Sequence, residues 1–156
     1  MAEDFKIGTG SKEERYKFLF AQAEAMLRDE GDEVAKMANL AAMIHLSFGF
    51  WWTGFYRVVG EELVLGPFQG PVACTRIGYG RGVCGTAWRE EQSIIVEDVE
   101  KFPGHIACSS LSRSEIVVPV WQDGKICAVL DIDSEHLATF DSTDKLWLEK
   151  IVALLK

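Results

Sequence analysis

The spacing of the apolar residues changes at Gly49, and this change constrains the fold more than any other feature of the sequence. Before Gly49, apolar residues recur at steps of three and four, which predicts amphipathic helices over residues 12–30 and 32–49. Ser11, with Glu14 three residues later, is typical of a capping box at the start of the first helix. After Gly49 the period falls to two, so a sheet is predicted to begin there.

The remaining segments predict a sheet and one closing helix. Strands are expected at residues 52–58, 62–65, 93–96, 116–121 and 125–133, with hairpin turns at Gly60 and at Asp123-Gly124. Residues 66–85 hold six glycines and are predicted to be mostly loop, with a short helix over 83–88. Asp141 or Ser142 is predicted to cap a last helix that runs to Leu155. The chain, residues 1–156, is therefore predicted to be one α+β domain, a central antiparallel β-sheet flanked by N-terminal and C-terminal helices.

Charge and hydropathy exclude several kinds of partner. The chain has 24 acidic and 16 basic residues, a formal net charge of −8, and so lacks the basic surface that nucleic acid or anionic lipid requires. Its N-terminus lacks the basic start and apolar run of a secretory signal. The most apolar stretch, residues 40–55, contains His45 and Ser47 and is shorter than the roughly 20 apolar residues of a spanning helix. We expect a cytoplasmic protein that binds neither nucleic acid nor membrane.

Cys108 is the cysteine whose surroundings best suit chemistry. It lies in a polar loop near Lys101, His105 and Arg113, and such electropositive, accessible surroundings lower the pKa of a thiol and make it nucleophilic.

The other three cysteines differ in their surroundings. Cys74 and Cys84 occupy flexible segments that can approach another sulfur, whereas Cys127 lies within a predicted strand and is expected to pack as a small hydrophobic residue. The cysteines lack CxxC spacing and the histidines form no HxxxH pair, so we expect no metal site. Taken alone, these residues are also compatible with four unrelated reduced thiols.

Strand alternation sorts the remaining candidates by face. In the last strand Ile126, Ala128, Leu130 and Ile132 are predicted to share one apolar face, and Asp131 and Asp133 the other. Trp52, Gly54 and Tyr56 share a face of the first strand, and Glu115 shares a face with Val117 and Pro119. The pattern leaves open whether the two aspartates form a solvated rim or the polar wall of a pocket.

Several motifs together resemble the free methionine-(R)-sulfoxide reductase family, whose members are single GAF-domain enzymes. The segments that carry the resemblance are WTGFY at 52–56, GPFQGPVAC at 66–74, GRGVCG at 80–85, HIAC at 105–108, SEIVVP at 114–119 and LDIDS at 130–134. They extend over most of the chain. The resemblance implies a GAF fold, which agrees with the α+β prediction.

The family resemblance implies a redox mechanism. Cys108 attacks the sulfoxide sulfur of free methionine-(R)-sulfoxide, methionine leaves, and the resulting sulfenic acid becomes an intramolecular disulfide. Thioredoxin, kept reduced by NADPH through its reductase, then opens that disulfide, and no cofactor is bound. Cys74 is the first choice as the resolving residue, and Cys84 is a second thiol able to pair with Cys108.

The resemblance also assigns the acidic and aromatic candidates to a substrate pocket. Glu115 and Asp133 are candidate acids that also contact the substrate, because clustered carboxyl groups raise one another's pKa and one of them can keep a proton. Asp131 is assigned to the substrate ammonium, and Trp52 and Tyr56 to an apolar wall around the methyl group.

Two expectations concern assembly and an alternative function. GAF domains often pair through N-terminal helices, so a homodimer is expected by analogy. The alternative to an enzyme is a GAF module that binds a small ligand or senses redox state without turnover.

Overall fold

The structure, a computed structural model, describes residues 4–105 and 111–156. Within these ranges the chain forms four α-helices and six β-strands. The helices are α1 (Lys12–Leu27), α2 (Glu33–Phe48), α3 (Gly82–Glu90) and α4 (Ser142–Val152). The strands are β1 (Trp52–Val59), β2 (Glu62–Gln69), β3 (Arg76–Gly78), β4 (Ile94–Val96), β5 (Ser114–Gln122) and β6 (Lys125–Ser134). None of these helices is long and apolar enough to cross a membrane.

The six described strands form one sheet in the order β3-β2-β1-β6-β5-β4, and every neighbouring pair is antiparallel. The two predicted hairpins, β1–β2 and β5–β6, are present, and β6 joins them by pairing with β1. This arrangement confirms the predicted α+β fold. It also places β1, β6 and β5 side by side at the centre of the sheet.

Each face of the sheet has its own apolar cluster. The larger cluster lies between the sheet and helices α1, α2 and α4, and it includes the fully buried Tyr16, Ile44 and Leu148. The smaller cluster lies on the opposite face beneath α3 and includes Trp52 and Tyr56. The functional candidates lie on the face that α3 covers.

Helix boundaries follow the capping signals of the sequence. Ser11 accepts a hydrogen bond from the Glu14 N–H, and the Glu14 carboxylate accepts one from the Ser11 N–H, so the predicted capping box is confirmed. Gly49, with φ of 65°, ends α2 in the left-handed conformation that glycine adopts without a steric penalty. Asp141, one of the two residues predicted to cap the last helix, is the N-cap of α4.

A buried polar contact joins the first and last helices. The Tyr16 hydroxyl donates to Asp144 Oδ1 at 2.6 Å, and Lys12 Nζ lies 2.7 Å from Asp144 Oδ2. Because Asp144 is almost fully buried, these contacts replace the hydration that its carboxylate loses. They therefore fix α1 against α4.

Two predictions about the sheet are wrong. Part of the 66–85 segment, predicted to be loop, is strand, because β2 continues to Gln69 and β3 follows it. Strand β2 can continue through Gly66-Pro67 because this pair lies at a β-bulge, where proline is tolerated. Ile126 lies in the cluster under α3 instead of on the face of Leu130. Val120 pairs with Ala128 and Trp121 with Ile126, so Cys127 is an extra residue that reverses the alternation.

Candidate active site

A pocket lies between the central strands, α3 and the connection from β2 to β3. Its described lining residues are Trp52, Tyr56, Val72, Ala73, Ile77, Arg81, Gly82, Val83, Cys84, His105, Ser112, Glu115, Asp131 and Asp133. One side of the pocket is aromatic and the other is acidic. A site of this kind suits a small ligand that has both an apolar group and positive charge.

The aromatic wall is held in place by stacking and by two hydrogen bonds to backbone carbonyls. The Trp52 ring stacks on Tyr56 and on Phe68, with centroids 5.8 and 5.3 Å apart. Trp52 Nε1 donates to the Pro71 carbonyl at 3.0 Å, and the Tyr56 hydroxyl donates to the Cys74 carbonyl at 2.8 Å. Burial raises the pKa of Tyr56, so its hydroxyl keeps the proton that it donates.

Gly54 is required for this arrangement of the aromatic rings. A Cβ at this position would lie 2.4 Å from the Phe68 Cβ and 2.6 Å from the Trp52 ring. The absent side chain therefore provides the space that Trp52 occupies beside Phe68.

The acidic side of the pocket comes from strand register. Glu115 on β5 is directly opposite Asp133 on β6, and on the other side of β6 Asp133 pairs with Trp52 and Asp131 with Gly54. Two-residue alternation places these side chains on one face, beside the aromatic wall. The two aspartates thus form a pocket wall, one of the alternatives that the pattern left open.

Burial raises the pKa of all three acids, and the charge of Asp131 adds to the rise for the other two. Burial, followed by the charge of Asp131, raises the pKa of Glu115 and of Asp133 well above the ordinary values. Burial also raises the pKa of Asp131, although less strongly. Three carboxyl groups this close cannot all ionise readily in a buried site, so the cluster retains a proton where isolated acids would lose it.

The three acids differ in their polar partners. The Ser112 hydroxyl donates to Asp133 Oδ1 at 3.3 Å, and His105 Nε2 lies 3.8 Å from Glu115 Oε1. Asp131 Oδ1 is buried and has no hydrogen-bond partner within the described part of the chain. A buried carboxylate oxygen of this kind is a ready acceptor for a cationic or hydrogen-bond-donating ligand.

Cys84 is the pocket thiol among the described cysteines. It lies in the first turn of α3, is free and buried, and burial followed by the nearby Asp131 raises its thiol pKa well above the ordinary value. Because the thiolate is the nucleophilic form, these surroundings suppress its intrinsic reactivity.

The other cysteines occupy different positions. Cys74 directly follows the lining residue Ala73 and is not a free thiol in this structure. Cys127 is free, half-buried and packed against the helical core on the opposite face. Cys108, predicted as the nucleophile, lies outside the described residues.

The structure therefore brings six of the predicted site residues together: Trp52, Tyr56, Cys84, Glu115, Asp131 and Asp133. Three residues at the site were not predicted from the sequence: Ser112, Arg81 and Phe68. Ser112 precedes β5 and Arg81 precedes α3, so neither residue lies in a strand whose alternation could assign its side chain to a face. Phe68 lies in the GPFQGPVAC segment, but its stacking on Trp52 depends on the β1–β2 register.

Comparison with known proteins identifies the family. A family model described as a GAF domain matches residues 28–155. The chain is 57% identical to GAF domain-containing protein A of Dictyostelium discoideum, with 99% of each chain covered. It is 43% identical to the free methionine-R-sulfoxide reductase of Escherichia coli, over 94% of this chain and 89% of that protein.

A solved structure gives the same result. The free methionine-R-sulfoxide reductase from Neisseria meningitidis, determined in complex with its substrate, superposes with a TM-score of 0.95 and 51% identity. The match covers 97% of this chain and 92% of that one. The GAF fold implied by the motifs is thus confirmed, and the chain belongs to the free methionine-R-sulfoxide reductase family of GAF-domain proteins.

Proposed function

We propose that this chain reduces free methionine-(R)-sulfoxide to methionine with Cys108 as the nucleophile. The observation that carries the proposal is the pocket in which the buried Glu115 and Asp131 and the half-buried Asp133 lie beside the Trp52 and Tyr56 rings. Relatives named for this activity support an oxidoreductase.

Substrate binding follows from the two sides of the pocket. The S-methyl group contacts Trp52 and Tyr56, which exclude water from the sulfur. The substrate ammonium donates to Asp131, whose Oδ1 otherwise has no partner among the described residues. A peptide-bound methionine sulfoxide carries an amide nitrogen in place of the ammonium, so the free amino acid is preferred.

The first chemical step moves one oxygen from the substrate sulfur to Cys108. The Cys108 thiolate attacks the sulfoxide sulfur and forms an S–S bond, while the sulfoxide oxygen takes a proton from Glu115 or Asp133. The hydroxyl group then passes to the Cys108 sulfur as the S–S and S–O bonds of the adduct break, which releases methionine and leaves Cys108 as a sulfenic acid. The sulfoxide sulfur is reduced by two electrons and the cysteine sulfur is oxidised by two. Because burial and the charge of Asp131 raise the pKa of both acids, either one is suited to hold the proton that the oxygen takes.

The position of Cys108 in the sequence supports its role. It is three residues after His105 and four before Ser112, and both of these residues line the pocket. Cys84, in contrast, has a raised thiol pKa and is a poorer attacking group.

Recycling returns the enzyme to its starting state. The thiol of Cys74, or of Cys84 as the second choice, attacks the sulfenic acid, and water leaves as the disulfide forms. Thioredoxin reduces that disulfide by thiol exchange and is itself reduced by NADPH through thioredoxin reductase. The net reaction converts one sulfoxide and two thiols to methionine, water and one disulfide.

The test is a coupled assay that follows NADPH consumption through thioredoxin and its reductase. Three substrates are compared: free methionine-(R)-sulfoxide, the free (S) epimer and the N-acetylated (R) form. Turnover of the free (R) epimer alone is expected, because only that substrate combines the correct sulfur configuration with an ammonium. Saturable binding without product would instead identify a ligand-binding GAF module, and a peroxide-induced disulfide without sulfoxide reduction would identify a redox sensor.

A further inference from the structure

Three potential metal ligands from different elements come together in the lining of the pocket. The Cys84 thiol comes from α3, Glu115 from β5 and Asp131 from β6, and one donor atom of each lies within 4.8 Å of the other two. Ligands around one zinc ion lie about 3.5 Å apart, given Zn–S and Zn–O bonds of about 2.3 and 2.1 Å. Small side-chain rotations are therefore enough to bring these atoms to bonding distance.

Two further observations favour a cation at this position. Asp131 Oδ1 is buried and unpartnered within the described residues, so this carboxylate has an oxygen that is available to a cation. His105 Nε2 lies 3.8 Å from Glu115 Oε1, which brings an imidazole nitrogen to the edge of the same cluster. The donors thus include sulfur, oxygen and nitrogen, the combination found in tetrahedral zinc sites.

We infer that Cys84, Glu115 and Asp131 form a binding site for a single transition-metal ion of the zinc type, with His105 as the adjacent fourth donor. The ion replaces the protons of the thiol and the carboxyl groups and compensates the negative charge that burial otherwise disfavours. Local sequence spacing did not indicate the site, because the donors come from separate elements.

The donor set also defines which ions bind. A thiolate favours Zn²⁺ and Co²⁺ over Mg²⁺ and Ca²⁺, which prefer oxygen ligands and larger coordination numbers. Where the proposed function holds, the ion occupies the position given to the substrate ammonium on Asp131. Zinc is then a competitive inhibitor of sulfoxide reduction, because metal and substrate require the same carboxylate.

The test uses Co²⁺ as a spectroscopic probe with the reduced, reductant-free full-length chain. Binding of about one ion per chain is expected, with a thiolate-to-cobalt charge-transfer band and displacement of the cobalt by Zn²⁺. Cys84→Ser should remove that band and weaken binding by about tenfold or more. Asp131→Asn should weaken binding while keeping the band, because the thiolate remains.

Cys127→Ala is the matched control, because Cys127 is a free thiol on the opposite face of the sheet. It should bind Co²⁺ like the wild type. An unchanged band in Cys84→Ser, or equal affinity in Asp131→Asn, would place the ion elsewhere and overturn the inference.

Competition with substrate separates this inference from the proposed function. Saturating methionine-(R)-sulfoxide should raise the apparent Co²⁺ dissociation constant of Cys108→Ser, a variant that keeps the three metal ligands and cannot oxidise Cys84 through turnover. Co²⁺ binding that shows the Cys84-dependent band but no competition would support the metal site and contradict the substrate position proposed above.

Discussion

Replacing Gly54 with alanine provides a sharp test of how the pocket is built. The new Cβ would lie 2.4 Å from the Phe68 Cβ and 2.6 Å from the Trp52 ring, about 1 Å inside normal carbon–carbon contact. Phe68 cannot yield easily, because its Cβ is attached to the β2 backbone. Trp52 is held by its hydrogen bond to the Pro71 carbonyl and by stacking on Tyr56.

The expected cost is that of overpacking a well-filled cluster, about 1–3 kcal/mol of unfolding free energy. Because relief requires movement of Trp52, the KM for methionine-(R)-sulfoxide should rise by more than kcat falls. Urea unfolding, analysed at constant m-value, measures the first effect, and the coupled NADPH assay measures the second.

Gly31→Ala is the matched control for this substitution. A Cβ at Gly31 would have no atom within 4 Å, and the residue does not have a positive φ. The control should leave KM unchanged and stability equal or higher by up to about 1 kcal/mol, because alanine restricts the unfolded chain. Wild-type stability and KM in Gly54→Ala would refute the argument that the missing side chain positions Trp52.

Four further outcomes follow from the site and the core. Cys108→Ser should abolish turnover, and multiple-turnover rates equal to wild type would contradict the mechanism. Glu115→Gln should lower kcat by about 100-fold or more. Folding raises the pKa of Glu115, so between the unfolded and folded pKa the folded chain keeps a proton that the unfolded chain releases, and the unfolding free energy falls as pH rises through that interval. Urea unfolding of the variant should show a smaller fall. Asp131→Ala should raise KM by about 10- to 100-fold, and a loss confined to kcat would instead assign Asp131 to proton transfer. Tyr16→Phe should lower the unfolding free energy by about 1–3 kcal/mol, because Asp144 loses a buried hydrogen bond; unchanged stability would contradict that account.

Features set by neighbouring residues could be predicted from the sequence. The Ser11–Glu14 capping box and the Gly49 helix end depend on residues a few positions apart, and both occur as expected. The common face of Asp131 and Asp133 follows from alternation alone. That these aspartates line a pocket required either the family motifs or the structure.

Features set by pairing between distant segments could not be predicted. The Cys127 bulge that turns Ile126 to the other face depends on the register between β5 and β6, for which the local sequence contains no marker. The approach of Cys84 to Glu115 and Asp131 depends on how α3 packs on the sheet. Such distances arise from tertiary contacts and not from residue spacing.

The two apolar clusters on opposite faces of the sheet have a practical consequence for protein engineering. Residues under α1, α2 and α4 belong to a different apolar cluster from the pocket residues, so the effects of their substitutions on stability should add to those of pocket variants. Stabilising changes on the helical side can therefore be combined with redesign of the pocket for other sulfoxides. The sheet in this way separates the part of the molecule that can be made more robust from the part whose specificity can be altered.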